Sequence, residues 1–118
     1  MEIKRFDIGE HNIEFVNESA NTRHGFKHIT HMFVNGCNIG THTSYYLNRT
    51  WECYRYQTVM RGCVYDIIEE RTENLKSIFK SERGYKNLTA KRAEEFDKFI
   101  ADDEELKLYN EILERLKA

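Results

Sequence analysis

The run FKHITHMFVNGCNIGTHTSYY, residues 26 to 46, decides the fold. Two apolar, β-branched and aromatic segments flank Asn35-Gly36, and that dipeptide suits a type I′ turn because both central residues must take positive φ. The stretch therefore predicts an antiparallel hairpin. With a two-residue turn, Val34 faces Cys37, Met32 faces Ile39, Thr30 faces Thr41, His28 faces Thr43 and Phe26 faces Tyr45 on one side of the ribbon. Ile29, His31, Phe33, His42 and Tyr46 fall on the other. Large side chains on both sides predict a sheet covered by helices on one face and partly covered, or used, on the other. A lone ribbon is not stable in water, so further strands are expected.

Upstream, IEFVNE (13–18) reads as a short strand and KRF (4–6) as another, while the polar ESANTRHG (18–25) reads as a turn or mobile loop. Downstream, the period changes from 2 to 3.6 at residue 51. Tyr56, Val59, Met60, Cys63, Val64, Ile67, Ile68, Leu75, Ile78 and Phe79 form one stripe of a long amphipathic helix. Thr50 is placed to cap it, with Glu52 in the first turn where a carboxylate favours the helix dipole. Gly62 inside this helix costs about 1 kcal/mol relative to alanine, which points to close packing against another element. Gly84 is a natural stop. Two shorter helices follow. LTAKRAEEFDKFIA (88–101) has Thr89 as cap and Leu88 stapling onto Ala93, and DDEELKLYNEILERLKA (102–118) starts with Asp102 capping and Glu105 three residues on. The expected fold is α+β: a small N-terminal antiparallel sheet of about three strands, a long helix across it and a C-terminal helical hairpin. Residues 1–118 form one domain, with 1–50 mainly β and 51–118 mainly α.

The chain's 118 residues suffice for a single core. A charged fraction of 32% with a net charge of only −2 argues against the broad positive field that non-specific nucleic-acid binding requires. The three cysteines, Cys37, Cys53 and Cys63, contain no CxxC pair, and no leading apolar segment resembles a signal peptide. The expected location is cytoplasmic, with reduced thiols, and the sequons at Asn17, Asn48 and Asn87 then carry no glycan.

Catalytic chemistry finds little purchase. Cys53 and Cys63 sit on different faces of one helix, no glycine-flanked serine elbow or phosphate loop occurs, and the carboxylate pairs fall on solvent faces or helix starts. His31 and His42 are expected as diagonal neighbours on one sheet face, but no four-ligand set converges for zinc. The reading is therefore non-enzymatic, without metal or cofactor.

The more informative segment is YYLNRTWECYRYQTVM (45–60), which holds the only tryptophan, Trp51. Tyr46 ends a strand, Arg49 lies in a turn, and Trp51 and Arg55 open the long helix, so two guanidinium groups and a helix N-terminus converge. Such a place suits an anion, a nucleobase or an acidic protein surface. Arg23 and Lys27 extend the candidate site. The structural alternative stands beside it: Trp51 and Tyr54 fill the sheet–helix junction while Arg49 pairs with Glu52.

The block RHGFKHITHMFVNGCNIGTHTSYYLNRTWECYRYQTVM resembles a pattern in small accessory proteins of phages and mobile elements of Gram-positive bacteria. The likeness spans about residues 23 to 68 and rests on Tyr46, Asn48, Arg49, Thr50, Trp51, Glu52, Tyr54, Tyr56, Gln57, Val59 and Met60. It implies provenance more than a defined chemistry. Cofactor-free phage proteins of this size often act as stoichiometric antagonists of bacterial defence, as anti-CRISPR proteins do, by binding a host protein such as a nuclease or its nucleic-acid complex. The resulting expectation is an inhibitor working by direct contact, as a monomer or a homodimer and with no membrane partner; the alternatives are a dimeric sponge for a nucleotide signal and a nucleic-acid-binding regulator.

Overall fold

The computed structural model describes residues 1–47 and 56–117. Four antiparallel strands, β1 (Glu2–Ile8), β2 (His11–Thr22), β3 (Gly25–Val34) and β4 (Cys37–Tyr46), form a meander in the order β1-β2-β3-β4. Three helices follow: α1 (Gln57–Arg83), α2 (Ala90–Ala101) and α3 (Glu104–Lys117). The α+β expectation holds, but the sheet has four strands rather than about three. The missing length lies in ESANTRHG, where β2 runs on to Thr22 and leaves only Arg23 and His24 as the turn into β3. Polar composition signalled a loop there. Cross-strand pairing of Ser19 with His28 and Asn21 with Phe26 overrides it.

The Asn35-Gly36 turn forms as expected, with φ of 52° and 82° at its two residues. The start of β2 reinforces it: Asn12 N–H donates to Asn35 Oδ1 at 2.9 Å, and Asn35 N–H donates to Asn12 O at 2.8 Å. Past the turn the predicted register fails. Val34 pairs with Cys37 and Phe33 with Asn38, but Met32 then pairs with Gly40, skipping Ile39 in a β-bulge. Asn38 Oδ1 fixes the bulge by accepting from Gly40 N–H at 3.0 Å. One extra residue turns the rest of β4 over, because side chains alternate between faces with period 2. His42 and Tyr46 therefore point with Thr30 and Phe26, and His31 faces Thr41 instead of neighbouring His42.

Helices α1 and α3 lie against one face of this sheet, and α2 packs on α1. Ile13, Phe15 and Met32 meet Met60, Cys63, Val64 and Ile67 of α1 and Ile112, Leu113 and Leu116 of α3 in one core. At the far end of α1, Phe79 packs against Phe96 and Phe99 of α2 with ring centroids 5.4 and 5.2 Å apart. Both short helices lean chiefly on α1, so the expected C-terminal hairpin is better described as two props on a central helix. Ile78, placed in the core by its spacing, is 45% exposed.

Gly62 explains itself. A Cβ there would lie 2.8 Å from His42 Nε2, so the glycine lets the imidazole of β4 lie flat against α1. The helix ends as expected at Gly84, with φ of 67° and its N–H turned back to the last turn. Thr89 caps α2 by accepting from Arg92 N–H. For α3 the cap is Asp103, one residue later than expected: its carboxylate accepts from Leu106 N–H at 3.0 Å, while Asp102 closes α2. Asp103 wins the position because it also receives Arg71 of α1 through two N–H donors, at 2.8 and 3.2 Å. That guanidinium holds the Asp103 carboxyl below the usual carboxylate range. The expected cap of the long helix, Thr50, lies outside the described residues; described α1 begins at Gln57 with Tyr56 in the capping position.

Candidate functional site

The bulge in β4 and the alternation of the strands sort the sheet into two chemically different faces. On the helix-covered face, polar groups are few and partnered. Thr30 O–H donates to Asn17 Oδ1 at 2.6 Å, and Asn17 Nδ2 approaches Met60 Sδ at 3.6 Å, satisfying two fully buried residues. Cys63 is buried nearby, and burial together with the Asp66 charge pushes its thiol up to about 12, so it is an inert thiol at neutral pH.

At the open end of the same face lies an aromatic and polar cluster. The His28 ring stands 4.5 Å from the Tyr56 ring and 5.4 Å from Tyr46, while Tyr46 stacks on Phe26 at 5.5 Å. Ser19 Oγ links His28 Nδ1 at 2.6 Å to the Tyr56 hydroxyl at 2.8 Å. Burial lowers the His28 pKa, which favours the neutral ring. The sequence conceals this cluster because the polar run around Ser19 has the composition of a loop, whereas β2 continues through it. The available signal was the two-residue turn Arg23-His24, which pairs Ser19 with His28 once β2 is extended.

The other face carries no described helix. Its rows read across the sheet as Arg5, Glu14, Phe33 and Asn38; Ile3, Val16, His31 and Thr41; Glu18, Ile29 and Thr43; and Ala20, Lys27 and Tyr45. Val16, Ile29 and Phe33 are half-buried, Ile3 is 45% exposed and Tyr45 is 73% exposed. Arg5 pairs with Glu14, and His31 bridges Thr41 Oγ1 and Glu18 Oε2 at 2.9 Å each. The Thr41–His31–Glu18 chain has the order of a nucleophile, base and orienting acid. Its contacts tie β4, β3 and β2 together as a cross-strand ladder.

The structure separates the residues singled out in the sequence. Tyr46 belongs to the helix-side aromatic cluster. Lys27 lies on the opposite face beside Tyr45, and Arg23 is exposed in the β2–β3 turn. Arg49, Trp51 and Arg55 lie outside the described residues. Among the described residues no group of three or more His, Cys, Asp or Glu side chains is placed to hold a metal ion. No described helix is long and apolar enough to cross a membrane. Compared with known proteins, the chain matches no family model, no curated protein and no solved structure.

Proposed function

We propose that this chain is a non-enzymatic binding protein that acts stoichiometrically through the uncovered face of its sheet, as an inhibitor of a bacterial defence protein. The observation that carries the reading is the band of Ile3, Val16, Phe33, Ile29 and Tyr45 on a face that no described helix covers. Apolar side chains bordered by Arg5, Glu14, Glu18 and Lys27 match the apolar centre and polar rim of a protein interface. The step from binding to inhibition of defence rests on the resemblance of residues 23 to 68 to phage accessory proteins.

The test is to express the protein in a strain with an intact nuclease-based defence and measure plaquing of a targeted phage. Wild-type protein restores plaquing and co-purifies with a defence component at fixed stoichiometry; an Ile29→Ser/Phe33→Ser variant that melts normally does neither. No relief and no stoichiometric partner across several defence classes would remove the reading.

A further inference from the structure

The sheet ends in two edge strands of opposite character. β1 carries four charged residues among its seven, Glu2, Lys4, Arg5 and Asp7, whereas the ten residues of β4 include no Asp, Glu, Lys or Arg. Exposed edges offer unpaired backbone donors and acceptors to any passing strand, and proteins blunt them with charge, proline or bulges. β1 is blunted by charge. β4 has its bulge at Ile39, next to the turn, and beyond it Gly40–Tyr45 pairs regularly with β3 while its outer side bears no described strand. That length is enough for a partner strand of about 5–6 residues.

The surroundings of this edge are acidic. His42 of β4 binds Asp66 of α1, which fixes that side of the helix beside the edge. Glu69 and Glu70, three and four positions on, continue the same side, and all three carboxylates are exposed. Glu73, a turn further, is engaged by Lys76 at 3.6 Å, and Asp66 keeps its bond to His42, so Glu69 and Glu70 are the carboxylates on this side with no ion pair among the described residues. A strand added to β4 alternates its side chains between the helix side, where it meets Asp66, Glu69 and Glu70, and the open side, where it meets Thr43 and Tyr45.

We infer that β4 is a docking edge for an extended basic segment of a partner protein, which joins the sheet by main-chain hydrogen bonds and sets its Lys or Arg side chains against Asp66, Glu69 and Glu70. This rests on the binding-protein reading above and names the chemistry of its partner. Main-chain pairing supplies affinity and the alternate side chains supply selectivity, as in other strand-addition complexes. A second copy of this chain fits less well, because two-fold pairing of β4 with itself brings the two acidic helix sides towards each other.

The experiment uses the full chain and two labelled ten-residue probes, one alternating Lys with Val and one alternating Glu with Val. Fluorescence anisotropy reads affinity, and amide NMR with hydrogen exchange reads the site. The expected result is binding of the Lys-Val probe alone, with protection of the Thr41–Tyr45 amides and weakening at 0.5 M salt. Asp66→Asn/Glu69→Gln/Glu70→Gln should bind it about tenfold more weakly with an unchanged spectrum elsewhere. Equal binding of both probes, equal affinity of the triple variant, or shifts confined to other strands overturns the inference. Concentration-dependent doubling of mass with the same amides protected overturns it too, in favour of a second copy. Should the defence partner still be captured by the triple variant but lost from Ile29→Ser/Phe33→Ser, the edge falls and the sheet-face reading stands.

Discussion

The two faces of this sheet are built from the same strands with similar side chains, yet they have opposite fates. Phe15 and Phe33 show it best: both are aromatic residues on central strands, in consecutive pairs of one ladder, since Phe15 pairs with Met32 and Phe33 with Glu14. Phe15 is fully buried beneath α1 and α3, whereas Phe33 keeps part of its ring in solvent beside Glu14. An apolar residue therefore does not announce its role by type. What it faces decides whether removing it unfolds the domain or only strips a surface.

The largest effect should come from breaking the covered face. Phe15→Ala leaves a cavity in a close-packed core, and the loss should be about 3–5 kcal/mol, measured by urea unfolding. A loss below about 1 kcal/mol would mean that the helices do not clamp the sheet in this way.

Next in size is the tie between α1 and α3. Arg71→Ala leaves Asp103 without its two-pronged partner and weakens the α3 cap, an expected loss of about 1–3 kcal/mol. The same pair makes stability acid-sensitive. Because Asp103 titrates lower in the fold than its ordinary 3.8, its contribution is complete above that value and disappears as pH falls through the lower folded value. Arg71→Ala should flatten that acid limb of a pH–stability curve, and an unchanged limb would assign it to other carboxylates.

His28 gives a smaller effect in a different pH window. Burial depresses its folded pKa below 6.5, so the unfolded chain binds the proton more readily and stability falls as pH drops below about 6.5. Ser19→Ala removes the hydroxyl that Nδ1 contacts at 2.6 Å while leaving the ring buried, so the decline should persist in it and vanish in His28→Gln. A decline surviving His28→Gln would move the titration to another histidine.

These contrasts also show what the sequence could reveal. The Asn35-Gly36 turn, the long helix with Gly62 against a neighbour, the stop at Gly84 and the Thr89 cap were legible because each depends on local chemistry. The faces of β4 were not. Asn38 draws the Gly40 N–H into a bulge, and that single residue moved His42 and Tyr46 to the helix side and separated Tyr46 from Lys27. The Ser19–Tyr56 link spans 37 positions and required the tertiary fold to appear. Asp103 displaced Asp102 as the cap because of Arg71, a partner 32 residues away.

The smallest stability effect is the sharpest test of the comparison. Phe33→Ser on the uncovered face removes apolar surface that is only half-buried in the isolated chain, next to Glu14 and opposite Asn38, which tolerate a hydroxyl. Its unfolding free energy should change by less than about 1 kcal/mol, since surface substitutions away from packed groups rarely exceed that. In a complex the same site is desolvated, and truncating an aromatic anchor there should weaken binding by about 2 kcal/mol or more, a factor of about 30. Measured together, urea unfolding and partner capture then separate two meanings of an apolar sheet face. A large stability loss would show that Phe33 supports the fold; a normal melt with lost capture would show that a partner covers this face.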